Sequence, residues 1–330
     1  MSKRLHWLQD KPIGTIYEKW SDLHRIKIVK ESSSIVRMYF VDPHSLHPNP
    51  ASSGAMSAID LNDPFDLSPT PYNQAMMLSL LWNANPERVY MIGLAGGRIP
   101  LVLHHYFPEL TIESTDIDAE TLVLARRFFG FEPDHRQSAV IMDGRDYLES
   151  RAENVCYDFI FVDAFRGTGF SPLHLASADF YQRCKKHLNA QGVVLFNMIE
   201  SDPLFLRKIN TIQNAFRHVY LLLERTIVVF GTDIPLDWAE ETVSKATALQ
   251  EKYQFPFSLV SRAKTLKPLS ECGKFLGNFV GNDATITDKN LESALRETVS
   301  ANDPIFYNAE RNGPCPCGSR KKYKKCHGRL

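Results

Sequence analysis

The sequence predicts a doubly wound, Rossmann-like α/β fold with a seven-stranded, mostly parallel sheet. Three observations predict it. Apolar runs of strand length alternate with helix-patterned segments through the middle of the chain. A glycine cluster directly follows the first of those runs, and acidic residues stand at the ends of the next three. Repeated strand–helix–strand units make parallel strands buried on both faces. A ligand then binds beyond the carboxyl ends of the strands.

The elements follow in order. "RVYMIGLAGG" (88–97) is an apolar strand ending in glycines, and "RIPLVLHHYF" continues it as a helix. "LTIESTDID" (110–118) is a second strand, and "AETLVLARRFF" after it carries apolar residues at helical spacing. "SAVIMDG" (138–144), "YDFIFVDAF" (157–165) and "GVVLFNMI" (192–199) repeat the theme, with a helix in "SADFYQRCKKHL" (177–188). "HVYLLLE" and "RTIVVFG" lie so close together in 218–231 that they are expected to close the sheet as an antiparallel pair. Farther on, "DWAEETVSKATALQEKY" (237–253) reads as an amphipathic helix with Ala239, Val243, Ala246 and Leu249 on one face, ended by Pro256. "DKNLESALRETV" (288–299) reads as another short helix, with Asp288 as its cap.

Composition sets the frame around this core. With 330 residues, 44% of them hydrophobic and 23% charged, the chain fits one large α/β domain with additions. "MSKRLHWLQD" is not followed by an apolar segment, and no apolar run reaches the length of a membrane span. Six cysteines, three of them near the end, do not make a secreted disulfide framework; Cys156, Cys184 and Cys272 read as structural thiols. A cytoplasmic location is the expectation. His104 and His105 are adjacent on a helix, so they read as one core and one surface residue rather than a metal pair. "HSLHPNP" (44–50) reads as a turn.

The strand ends point to a nucleoside ligand. Gly93, Gly96 and Gly97 would let the backbone approach a ligand closely before a helix N-terminus. Asp116 can accept both ribose hydroxyls. Asp143, with Gly144, is within reach of a base amino group, and Asp163 faces whatever reacts. The glycine loop lacks the G-x-G-x-x-G spacing of a dinucleotide site.

In order and spacing, "VYMIGLAGG", "STDID", "RRFFGFEPD", "MDGRDYL", "YDFIFVDAF" and "GVVLFNM" resemble the spermidine synthase-like branch of the class I S-adenosylmethionine-binding (methyltransferase) fold. "YEKWSDLHRIKIV", "RMYFVD" and "SAIDLNDPFDLSPTPYNQAMM" resemble the small N-terminal β domain of the same branch. The resemblance implies a cofactor loop of Gly93, Gly96 and Gly97, with Asp116 at the ribose and Asp143 and Gly144 at the adenine. Asp163 would be the catalytic aspartate and Tyr72 the active-site tyrosine. The cofactor implied is S-adenosylmethionine or its decarboxylated form, and the chemistry is attack by a nucleophile on a carbon bonded to a sulfonium.

The chain also departs from that pattern. Ala95 stands where aminopropyltransferases have an aspartate in the glycine loop, Asn73 where they have a histidine, and His24 where a glutamine is expected. Arg166 replaces the second acid after Asp163. A cation there opposes a polyamine by about 1–4 kcal/mol at close range. The expected acceptor is therefore another nucleophile, with Arg166 open to a carboxylate or phosphate and Arg98 read as a solvated loop charge.

The last twenty residues are a separate problem. Residues 311–330 hold seven Lys or Arg and no acid, so the body carries a charge of about −7 against +7 in the tail. That charge serves either an anionic partner or the solubility of a small module. Cys315-x-Cys317-x8-Cys326-His327 supplies three thiolates and an imidazole, a donor set that closes a tetrahedral Zn²⁺ site with no open position. Such a metal is structural, and it supplies the folding energy of a module with almost no core. "CPCGSRKKYKKCHG" resembles the SEC-C motif, which implies a basic face of Arg320, Lys321, Lys322, Lys324 and Lys325 for a protein, phospholipid or RNA.

The expected organisation is a small β domain (1–70), a nucleoside-binding domain (71–235), a helical extension and linker (236–310) and the zinc-binding tail (311–330). The extension could cover the sheet edge, form a homodimer surface or arrange the tail. Two functions fit: a transferase with a docking tail, or a non-catalytic nucleoside-binding adapter that acts through the tail.

Overall fold

The computed structural model describes residues 3–21, 23, 25–41, 54–165, 171–224, 226–237, 239–276, 285–291, 293–294, 312–313 and 322. His24, Arg166, the "HSLHPNP" turn and the four tail ligands Cys315, Cys317, Cys326 and His327 lie outside them.

The N-terminal segment is a four-stranded antiparallel meander: β1 (Gly14–Trp20), β2 (Arg25–Lys30), β3 (Ile35–Val41) and β4 (Ser57–Asp60). Its alternation decides which face is buried. Ile26 and Ile28 on β2 and Val36 and Met38 on β3 are fully buried, while Lys27, Val29 and Arg37 between them are half-buried on the other face. Together with Leu5 and Leu8 they pack on Leu124, Phe128 and Phe129. Each such side chain removed from water stabilises the docked sheet by about 1.5–3 kcal/mol.

α1 (Pro71–Met76) leads from this sheet into the larger, mostly parallel one. There follow β5 (Arg88–Ile92), α2 (Arg98–Tyr106), β6 (Thr111–Asp116), α3 (Ala119–Phe128), β7 (Gln137–Ile141) and α4 (Gly144–Ser150). Next come β8 (Tyr157–Val162), α5 (Ala178–Lys186), β9 (Leu188–Met198), α6 (Phe205–Ala215), β10 (His218–Leu223) and β11 (Ile227–Thr232). The chain continues through α7 (Ala239–Tyr253), α8 (Leu259–Ala263), the two-residue β12 (Lys267–Pro268) and α9 (Gly273–Leu276). The sheet order is β12-β10-β11-β9-β8-β5-β6-β7. The seven expected strands are present, and β12 adds an eighth at the edge against Tyr220 and Leu221.

Strands β9, β8, β5, β6 and β7 are parallel, and β10–β11 is the expected antiparallel pair, with Tyr220 opposite Phe230. Two apolar cores sandwich the sheet, as its continuous Val/Ile/Phe runs require. Strand order reverses at β5, which has β6 on one side and β8 on the other. That switch point opens a crevice at the strand ends. Beyond the sheet, Thr242, Ala246 and Leu249 are the buried face of α7, and Ala239 is exposed.

Three other expectations are corrected. Arg98 is not a solvated charge: it is buried and donates from Nη2 to the carbonyls of Pro64 and Asp66, and burial lowers its pKa to about 10. His104 and His105 both reach the surface, His104 beside Asp134 at 2.9 Å and His105 stacked on Phe65. Asp288 turns its carboxylate to Arg145 and Ser177 instead of capping a helix. Among the described residues no helix is long and apolar enough to cross a membrane.

Candidate active site

The crevice is a cavity of about 810 Å³. Its floor is the carboxyl ends of β5, β6, β7 and β8, and β3 supplies an outer wall through Arg37, Tyr39 and Phe40. Tyr72, Gly93, Asp116, Asp143, Gly144 and Asp163 all line it, so the structure brings six of the eight expected site residues together. Gly96 and Gly97 do not line it.

Asp163 follows β8 and is fixed by its own amide, which donates to the Ile92 carbonyl at 2.9 Å. Asn197 Nδ2 donates to its Oδ1 at 2.8 Å, and the Tyr72 hydroxyl is its other partner. Burial pushes the Asp163 carboxyl up to about 7, partly offset by the hydrogen bonds from Asn197 and Tyr72. Burial, with the adjacent Asp163 charge, raises Tyr72 well above the ordinary tyrosine range. Tyr72 is set by Pro71 at the start of α1, where a fixed φ favours the first helical turn. Asn73 is buried and bonded to Thr70, and so serves that turn instead of the cavity.

Gly93 is a glycine for two reasons: its φ is +92°, and a Cβ would lie 2.4 Å from the Asp163 carbonyl. Gly96 and Gly97 serve packing, since a Cβ on them would strike Ser57 and Phe131 respectively. Asp116 ties the loop to β6, its Oδ2 accepting from the Leu94 and Ala95 amides at 3.0 and 3.2 Å. Burial raises its pKa, against the lowering effect of those bonds. Asp143 caps α4, with Oδ1 accepting from the Arg145 and Asp146 amides, and its Oδ2 lies 2.8 Å from His174 Nε2.

These contacts also reveal residues that sequence reasoning missed. Asn197 was hidden in "GVVLFNMI", where a lone amide in an apolar strand was its only signal. His174 and the Glu31–Arg37–Tyr39 cluster gave none. In that cluster Arg37 donates to Glu31 at 2.6 Å and to the Pro69 carbonyl at 2.8 Å, and Tyr39 donates to Glu31.

Residues 72–232 match the spermine/spermidine synthase domain, and residues 311–329 match the SEC-C motif. Over that middle segment the chain is similar to spermidine synthase-like proteins, and it carries a match to the SEC-C motif near its C-terminus. A polyamine aminopropyltransferase of Vibrio vulnificus is 31% identical over 189 residues, 54% of this chain and 63% of that protein. The chain thus spans just under two thirds of that relative's length. Human methyltransferase-like protein 13, solved in complex with SAH, is 27% identical with a TM-score of 0.52, covering 57% of this chain and 94% of that one. A probable spermidine synthase from Corynebacterium glutamicum shares the fold with a TM-score of 0.64 at 16% identity, covering 84% and 99%.

The cavity has the room and the polar groups for a small-molecule ligand. Its volume is that of a small-molecule site. Asn197 Oδ1, buried beside Asp163, has no hydrogen-bond partner among the described residues and is free to accept from a bound amine. Gly93 keeps side-chain atoms away from the Asp163 backbone.

Proposed function

We propose that this spermidine synthase-like chain is a transferase that moves a methyl or aminopropyl group from S-adenosylmethionine, or its decarboxylated form, to a nucleophile bound beside Asp163. The observation that carries the reading is the Asp163–Tyr72–Asn197 cluster: a carboxylate at the switch point, with its pKa pushed to about 7, held by two donors. A non-catalytic nucleoside carrier has no use for a base tuned this way. Relatives named for aminopropyl transfer and for methyl transfer both support the class of reaction.

A bound S-adenosyl sulfonium supplies a carbon already activated for displacement. The chain's residues do the rest. Asp116 and the Gly93 loop hold the ribose end, and Asp143 with Gly144 forms the base end. Tyr72 and Asn197 orient the nucleophile, and Asp163 accepts its proton, since an amine must be neutral to attack. Incubating the full chain with each labelled sulfonium donor and a panel of amines and peptides tests this. Transfer by the wild type that falls by about 10²–10⁴-fold in Asp163→Asn supports it. Equal transfer in both contradicts it.

The tail belongs to the same proposal as a handle. Cys315, Cys317, Cys326 and His327 hold a structural Zn²⁺, a role the matched motif and the donor set support. The surrounding lysines then meet an anionic partner.

A further inference from the structure

We infer that His174 reads the base of the bound nucleoside, accepting at Nδ1 a hydrogen bond from the exocyclic amine of adenine. The inference rests on the S-adenosyl reading above, and it names a residue which that reading does not use.

His174 lies in the 3-10 turn Leu173–Leu175 and lines the cavity, with its side chain 14% exposed. Its Nε2 is 2.8 Å from Asp143 Oδ2. A carboxylate only accepts, so Nε2 carries the hydrogen, and the tautomer set by that contact has a bare lone pair at Nδ1. Nδ1 is buried and has no hydrogen-bond partner among the described residues. A buried acceptor needs a donor, and the cavity is where one can come from.

The ring cannot easily turn away. Asp143 is itself fixed as the cap of α4, and Arg145 Nη1 donates to the His174 carbonyl at 3.1 Å. Ile117, Met142 and Leu175 line the same cavity as apolar surface for a flat base. Within that wall, Nδ1 is the atom that distinguishes adenine, which offers an amine, from hypoxanthine, which offers a carbonyl. Asp143 therefore acts on the base through His174, as a positioning residue that sets the tautomer.

Calorimetric titration of the full chain with methylthioadenosine and methylthioinosine tests this. The wild type is expected to prefer the adenine compound by about tenfold or more. His174→Ala narrows that gap to within about threefold by weakening adenine binding alone. Asp143→Asn inverts the preference: the cap keeps the amide oxygen towards the Arg145 and Asp146 amides, so the amide nitrogen donates to Nε2 and Nδ1 becomes a donor. Equal wild-type affinities overturn the assignment while sparing the S-adenosyl reading, and so does an undiminished preference in His174→Ala. An unchanged preference in Asp143→Asn overturns the tautomer relay. Failure of both compounds to bind the wild type overturns the S-adenosyl reading and this assignment with it.

Discussion

Asp163 links chemistry to stability at the scale of one residue. Its folded pKa, about 7, lies above the ordinary value of 3.8. Between those pH values the folded state holds a proton that the unfolded state has lost, so this group's contribution to stability falls as pH rises from about 4 to about 7. Asp163→Asn is therefore expected to be more stable than wild type at pH 8, by about 2–4 kcal/mol. The gain should shrink as pH falls towards 4, which melting curves at several pH values will show. Transfer should rise with pH through about 7 in the wild type. Arg98 carries the opposite kind of prediction. Arg98→Ala removes the donor to the Pro64 and Asp66 carbonyls and leaves a void, for a loss of about 2–4 kcal/mol in denaturant unfolding. Asp163 was legible because an acid ending a parallel strand is conspicuous. Arg98 was not, because nothing local in "GGRIP" shows that the 62–67 segment folds over it.

The glycine loop separates site from scaffold at the scale of the element. Gly93→Ala places a methyl against the Asp163 carbonyl in a left-handed backbone, so it should abolish transfer as well as destabilise. Gly96→Ala places one against Ser57 Oγ on β4, so it should loosen the N-terminal sheet and raise proteolysis of β1–β4. Comparable transfer activity in the two folded variants would contradict the distinction. The strands themselves were readable because burial on both faces leaves long Val/Ile/Phe runs, as in "YDFIFVDAF". Sheet β1–β4 carries the alternating pattern of a one-sided sheet, and its inward residues Ile26, Ile28, Val36 and Met38 follow it. The two-residue β12 was not readable, since its pairing depends on where α8 delivers the chain. The same limit hid His174 and Glu31, whose roles arise only when distant segments meet at the cavity.

The whole molecule pairs an acidic body with a basic tail, each with its own test. Zinc analysis of the purified chain should find about one ion per chain in the wild type and a loss in Cys317→Ser, with transfer unchanged. Equal zinc in both would remove the tail site. The body's claim is the central one: the switch-point cavity binds an S-adenosyl ligand and places it beside Asp163. Calorimetry of the full chain with S-adenosylmethionine, its decarboxylated form and methylthioadenosine tests it most directly. Saturable one-site binding by at least one sulfonium, competed by methylthioadenosine, is the predicted result. Heats no larger than dilution for all three would contradict it.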